Sequence, residues 1–310
     1  MKLMKNSFWN KLSKPIVGLA PMDGITDEPM RQIQVGVAKP DLIYTEFVSA
    51  EGLVREPQYF VKTLQYKKNE QPIVAQLFGN KPEMFAQALP SLVKMGFAGV
   101  DINMGCPAKN VLGQGGGGAL IGDYETVEQI IKAASGYLPL SVKTRIGKSI
   151  EETQQWFEFL AGLPIQAVAI HGRKVSQKMQ GVVDWEQIGS GVEIFRRKKI
   201  IYLGNGGISS VNEAREKIKK YKLDGVLIGQ AALGNPWVFR EDYVPTKEER
   251  LKIMLKHACL VWDYYGEKGF VKMRKHFCWY CSGFVGSKKL KVALLKTKSL
   301  SEVESLLKLT

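Results

Sequence analysis

The chain has 310 residues, 45% of them apolar and 24% charged, and its 44 Lys and Arg against 30 Asp and Glu give a net charge of +14. These values argue against a disordered chain and fit either two average domains or one large α/β barrel with an appendage. They favour a phosphate-bearing partner, nucleic acid first, while no apolar run reaches the length of a membrane span and four cysteines, three of them late, make no secreted disulfide framework.

The N-terminal stretch MKLMKNSFWNKLSK lacks the apolar core of a signal peptide, so a cytoplasmic protein is expected. Eight short apolar, β-branched runs then follow, each closed by Gly, Pro or small polar residues. In order they are PIVGLAPM, LIYTEFVS, PIVAQLFG, GVDINMGCP, LSVKTRIG, AVAIHGR, KIIYLGNGG and DGVLIGQAAL. Between them KPEMFAQALPSLVKMG, DYETVEQIIKAAS, SIEETQQWFEFLAG and SSVNEAREKIKKYK carry helical periodicity, several opening on a Ser or Asp suited to an N-cap. Eight strand-then-helix units predict a (β/α)8 TIM barrel rather than an open doubly wound sheet.

The alternation stops after GNPWVF, and Thr246 with Glu249 has capping-box spacing just beyond Pro245. Residues 1–243 are therefore expected to form the barrel and residues 244–310 a small α-helical domain. Its stretch from Lys272 to Lys298 holds eight Lys or Arg and no acidic residue. That composition points to RNA phosphates. Trp279 and Tyr280 are expected in the core, and Cys278 with Cys281 as buried thiols one helical turn apart, with no metal site. Arg196–Lys199 precedes a strand and belongs at the barrel end away from the chemistry.

In such barrels chemistry sits where strands end. Strand one ends in Pro21, Met22 and Asp23, strand three in Gln76, strand four in Asn103 and Cys106 with Lys109 beyond, strand five in Lys143 and Arg145, strand six in His171. Gly204, Asn205 and Gly206 close strand seven, and Gly229 and Gln230 strand eight, where turns commonly bind phosphate through backbone N–H groups. A lysine inside VKTRIG points into a crowded interior and needs an anionic or electron-rich ligand.

The ordered strings APMDGITD, TEFVSAEGL, QLFG, DINMGCPAKNV with GxGxxL, VKTRIG, IHGR with GVVDW, LGNGGI, GQAALGNPWVF and RKHFCWYCSG resemble the flavin-dependent dihydrouridine synthases, which reduce uridines in RNA. The resemblance spans nearly the whole chain. It implies FMN as cofactor, NADPH or NADH as reductant, tRNA or another structured RNA as partner, and Cys106 as proton donor. It further implies cofactor contacts from Pro21, Met22, Asp23, Gln76, Lys143, His171 and the glycine turns, and substrate contacts from Asn103, Lys109 and Arg145. No protein partner follows from it. Three positions depart from the family pattern: Gly207 stands where Asp is usual, Gln230 where Arg is common and Met179 where an aromatic is frequent. A dihydroorotate-dehydrogenase-like enzyme of a small pyrimidine, a synthase acting on ribosomal RNA and a non-catalytic RNA-binding barrel are the alternatives. The glycine run after Cys106 is expected to let its loop move.

Overall fold

The structure is a computed structural model that describes residues 7–308, so the first six residues of the N-terminal stretch and the last two of the chain lie outside the described residues. Eight strands, β1 (Ile16–Leu19), β2 (Leu42–Ser49), β3 (Ile73–Phe78), β4 (Gly99–Met104), β5 (Leu140–Arg145), β6 (Ala167–His171), β7 (Ile201–Asn205) and β8 (Gly225–Ile228), pair in sequence order into a closed barrel. Every pairing is parallel, including β8 with β1. Helices return the chain outside the barrel: α1 (Glu28–Val37), α2 (Ala50–Arg55), α3 (Pro82–Met95), α4 (Tyr124–Ala134), α5 (Ile150–Ala161), α6 (Trp185–Ser190), α7 (Val192–Arg197) and α8 (Val211–Tyr221).

The helix starts follow from local chemistry. Asp123, Ser149 and Ser210 each accept a backbone N–H from the first turn of α4, α5 and α8, satisfying a donor that the helix leaves unpaired. One face of each helix is apolar and packs on the strands, as with Phe85, Leu89 and Leu92 of α3 and Trp156, Phe157 and Leu160 of α5, all buried. Each side chain so buried contributes about 1.5–3 kcal/mol. Inside the barrel a second apolar layer, with Ile16, Leu42, Val74, Ala167 and Ile201 near the strand starts, is closed by Trp9 from the segment before β1.

The eighth unit departs from expectation. Two 3-10 turns, Gln230–Ala232 and Pro236–Phe239, follow β8 in place of a barrel helix, and the next helix is α9 (Lys247–Gly269), which packs against α1. Thr246 and Glu249 make the expected capping box at its start. α10 (Met273–Tyr280), α11 (Ser287–Leu294) and α12 (Leu300–Lys308) complete a helical unit around its own core, including Met254, Val261, Phe277, Leu294 and Val303. Arg196 and Arg197 end α7, just before β7 begins, at the barrel end opposite the strand C-termini.

Polar contacts hold the helical unit on the barrel. Tyr265 of α9 donates its hydroxyl to Asp27 Oδ2 at 3.0 Å, and the same carboxylate caps α1 through Met30 N–H. Tyr264 and Lys62 exchange hydrogen bonds with each other's backbone carbonyl, and the Lys62 ammonium sits 4.7 Å from the Tyr264 ring centre. At Gly234, φ is +64° and an added Cβ would lie 2.4 Å from the Trp279 carbonyl carbon. Only a glycine lets the turn after β8 lie this close to α10.

Candidate active site

Side chains alternate along a strand, and the strand register decides which of them meet. Asn103 pairs with Lys143, Arg145 with His171, and His171 with Asn205, so four neighbouring strands present these residues side by side at the barrel mouth. They line a cavity of about 1140 Å³. Its wall also includes Pro21, Met22 and Asp23 after β1, Cys106 and Lys109 after β4, Gly206 after β7, and Gly229 and Gln230 after β8. Thirteen of the fifteen residues expected at a site therefore share one cavity.

The other two do not line it. Gln76 lies one layer deeper, fully buried, donating to Asp101 Oδ2 at 2.7 Å and accepting from Asn103 Nδ2 at 3.0 Å. Its amide is engaged by protein partners and supports Asn103 from below. Gly204 alternates with the inward Leu203 and Asn205 positions, and a Cβ there would meet Trp185 at 2.7 Å and Leu223 at 3.0 Å. It makes room for helix packing outside the barrel.

Cys106 is held by groups that sequence reading assigned elsewhere. Asn103 Oδ1 accepts the N–H of Gly105 at 3.1 Å and of Cys106 at 2.9 Å, so this amide is first the clasp of the cysteine loop. Gly118 N–H donates to Cys106 O at 3.0 Å, and Gly117, at φ +58°, would place a Cβ 2.8 Å from that oxygen. Gly117 and Gly118 are buried. The glycine run is thus close packing under the cysteine and does not free the loop, because only residues without Cβ can approach so near.

Arg145 is 4% exposed and joins two loops. Its Nε donates to Gly105 O at 2.7 Å, while Nη1 donates to Lys178 O at 2.7 Å and Lys174 O at 3.3 Å. The guanidinium ties the cysteine loop to the loop after β6, with Nη2 3.9 Å from Met179 Sδ. Asn205 likewise spends its Nδ2 on Leu227 O, at 2.7 Å, linking β7 to β8.

The electrostatics suit a polar ligand. Burial pushes the Cys106 thiol up from its ordinary value, helped by Asp23, although Arg145 and Lys143 oppose the shift by favouring the thiolate. Cys106 is protonated at neutral pH. Burial, then the neighbouring Arg145, brings the Lys143 ammonium down to about 8, while Asp101 beneath is raised by burial to about 6. His171 is held neutral, down to about 2, by burial and by Lys143, Arg145 and Arg173. Its Nδ1 is buried with no hydrogen-bond partner, a cost normally removed by a bound group. Gly206 and Gly207, at φ +124° and +70°, turn the backbone at the end of β7 with no side chain in the way. A planar, hydrogen-bonding ligand with an anionic tail fits this set of groups.

Trp279 is the residue that sequence reading missed. It belongs to α10, was expected in the core, and instead lines the cavity, whereas its neighbour Tyr280 is buried as expected. Cys278 is half-buried at the end of the same helix, Cys281 is buried just past it, and both are free thiols.

The family model for dihydrouridine synthase (Dus) matches residues 18–310. The chain is 34% identical to the probable tRNA-dihydrouridine synthase of Staphylococcus aureus (strain COL) over 314 aligned residues, covering 98% of this chain and 95% of that protein. It is 32% identical to the probable tRNA-dihydrouridine synthase 2 of Bacillus subtilis (strain 168), covering 98% and 96%. Among solved structures, the old yellow enzyme homologue from Zymomonas mobilis aligns over 74% of this chain and 90% of its own at 13% identity, with a TM-score of 0.53, a likeness of fold. With a protonated cysteine, a desolvated lysine and an unpartnered histidine gathered at the mouth of a parallel barrel, and a family match that runs from β1 through the last helix, the chain belongs to the dihydrouridine synthase family.

Proposed function

We propose that the protein reduces the C5=C6 bond of particular uridines in tRNA to 5,6-dihydrouridine, using FMN, with NADPH or NADH as the ultimate reductant and Cys106 as proton donor. The observation that carries this reading is the neutral Cys106 thiol sharing one cavity with Lys143 and the unpartnered His171. FMN, when bound and reduced, supplies a hydride for C6 of the uracil. Lys143 and His171 would hold the polar edge of its ring, and the turns at Gly206 and Gly229 its phosphate.

The chain's own part is the proton. Cys106 donates it to C5, and the S–H bond breaks as C–H forms, leaving a thiolate that the nearby positive charges of Lys143 and Arg145 stabilise. Water then restores the thiol. Asn103 and Arg145 keep the sulfur in place by fixing the backbone of its loop, and Met22 with Pro21 shapes the wall after β1. Lys109 is exposed at the cavity edge and suits a phosphate of the substrate. The helical unit, residues 244–310, would hold the rest of the RNA through its lysine-rich stretch while the target base is turned out of the fold. The word tRNA in the relatives' names supports that substrate over ribosomal RNA, and a basic helical unit bordering the cavity favours RNA over a free pyrimidine. A tRNA substrate fits a cytoplasmic protein.

The test is direct. Protein purified with FMN is expected to be yellow and to convert uridine in tRNA transcripts to dihydrouridine at the expense of NADPH. Cys106→Ala is expected to keep FMN and tRNA binding and to lose most turnover. Full dihydrouridine formation by that variant, or a protein that cannot be loaded with FMN, overturns the reading.

A further inference from the structure

Trp279 sits on a helix of the C-terminal unit yet forms part of the wall of the barrel cavity. Its backbone is clamped by the turn after β8, where Gly234 leaves no room for a side chain. Its ring is backed by His276, edge to face at 5.2 Å and 87°, and His276 in turn packs on His257 at 4.3 Å. Tyr280, His276 and Phe277, on the other faces of α10, are all buried. The indole is therefore rigidly supported from behind and partly exposed in front, and among the described residues its N–H donates to no protein group.

Position and charge say what the free face can meet. In a ring of eight strands β8 lies opposite β4, so Trp279, docked on the turn after β8, faces the cavity from the rim across from Cys106. One turn before Trp279, Lys275 comes within 3.6 Å of where a Cβ on Gly24 would be, and it bears on Asp23 at the same rim, as does Lys272. A rigid indole flanked by ammonium groups at the edge of a cavity is the arrangement by which proteins stack a base and hold its backbone.

We propose that Trp279 stacks on the nucleotide adjoining the uridine that enters the cavity, making the helical unit part of substrate selection at the active site as well as a grip on distant RNA. This rests on the functional reading above. The polymer leaving a base that has reached Cys106 must cross a rim, and this is the rim that offers both an aromatic face and positive charge.

The experiment compares full-length Trp279→Ala and Trp279→Phe with the parent protein, each loaded with FMN. Three quantities are measured: kcat/KM for dihydrouridine formation on a tRNA transcript, affinity for that transcript by fluorescence anisotropy at one salt concentration, and the rate at which NADPH reduces the enzyme without RNA. Trp279→Ala is expected to lose about 5- to 150-fold in kcat/KM and in RNA affinity, the worth of one stacked base. Trp279→Phe should recover most of that loss, with FMN content and NADPH reduction unchanged in both. Parent-like behaviour of Trp279→Ala on RNA overturns the proposal. So does slower NADPH reduction, which would place the indole on the nicotinamide, or an equal fall in both variants with loss of FMN, which would make it a packing residue. Should the parent make no dihydrouridine in any RNA, the functional reading falls, and the affinity comparison alone still decides the role of Trp279.

Discussion

Replacing Arg145 with lysine keeps the charge and removes the fork. The guanidinium spans from Gly105 O on the cysteine loop to Lys178 O on the loop after β6, 2.7 Å to each. A lysine ammonium acts as a single point and can hold only one of them, so the two loops come apart. A carbonyl left without its donor in a partly buried place costs about 1–3 kcal/mol. Lys178 also sits at φ +52° and ψ −107°, a sparsely populated conformation that costs a non-glycine residue about 1–3 kcal/mol and that the lost bond no longer holds. Taking about 2 kcal/mol for the released staple, the joined arrangement becomes about 30-fold less populated. Arg145→Lys is thus expected to lower kcat/KM for tRNA by a similar factor, to keep its FMN, and to be cut faster by protease between residues 174 and 182. Parent-like protease resistance of that loop would refute the reasoning whatever the activity. A rise in KM alone, with the loop intact, would assign the guanidinium to the substrate instead.

Three further predictions follow from the geometry. Because burial raises the Cys106 thiol, kcat should carry an alkaline limb above the ordinary thiol value of about 8.5 that Cys106→Ser, whose hydroxyl does not ionise in that range, loses along with most of its rate, whereas a limb near 8 from the Lys143 ammonium should remain; a limb above about 8.5 that survives in Cys106→Ser contradicts the proton-donor role. Gly117→Ala sets a Cβ in a left-handed conformation 2.7 Å from Val111 and 2.8 Å from Cys106 O, and should cut turnover by about 10- to 100-fold with FMN retained, since small misplacements of a reacting group are that costly; unchanged turnover would show that the cysteine loop tolerates the shift. His257 is 1% exposed beside His276, Tyr280 and Lys275, and its folded value is depressed to about 3, so the unfolded chain takes up the proton first and stability falls as pH drops below about 6.5. At pH 5 this one residue costs about 2 kcal/mol. Raised carboxyls such as Glu46 and Asp101 act in the opposite direction, so the measurement is the difference in slope between parent and His257→Gln from pH 7 to 5 by denaturant unfolding. Parallel slopes would remove His257 from the acid response.

The parts of the fold that could be read in the sequence are those fixed by neighbours along the chain. Asp123, Ser149, Ser210 and the Thr246–Glu249 pair announce helix starts because capping acts over three residues. Lys143 and His171 could be placed because they lie near a strand's end, where chemistry gathers in such barrels, and Cys106 because the string around it, just past the end of β4, resembles the family's. Alternation gives the face of a strand but not the depth along it, which is why Gln76 was expected in the cavity and lies a layer beneath. At Gly204 even the face was missed, since a glycine carries no side chain to reveal it. Contacts between distant segments leave no periodic trace. The staple at Arg145 depends on loops 29 and 33 residues ahead of it in the chain, and the packing of Gly117 and Gly118 under Cys106 depends on how a loop doubles back. Trp279 shows the same limit over a longer span, because its place on the cavity wall is set by Gly234, on the far side of α9.

The protein has three histidines, and all of them are buried and held neutral. No imidazole is left at its surface to gain charge as a cell acidifies from neutrality. Any attraction for a polyanion is consequently carried by lysine and arginine, whose exposed members keep their charge over that range. On the proposed function, salt is then the variable that would adjust how firmly RNA is held, through the ions that binding displaces, and modest acidification would act only through buried carboxyls such as Glu46 and Asp101.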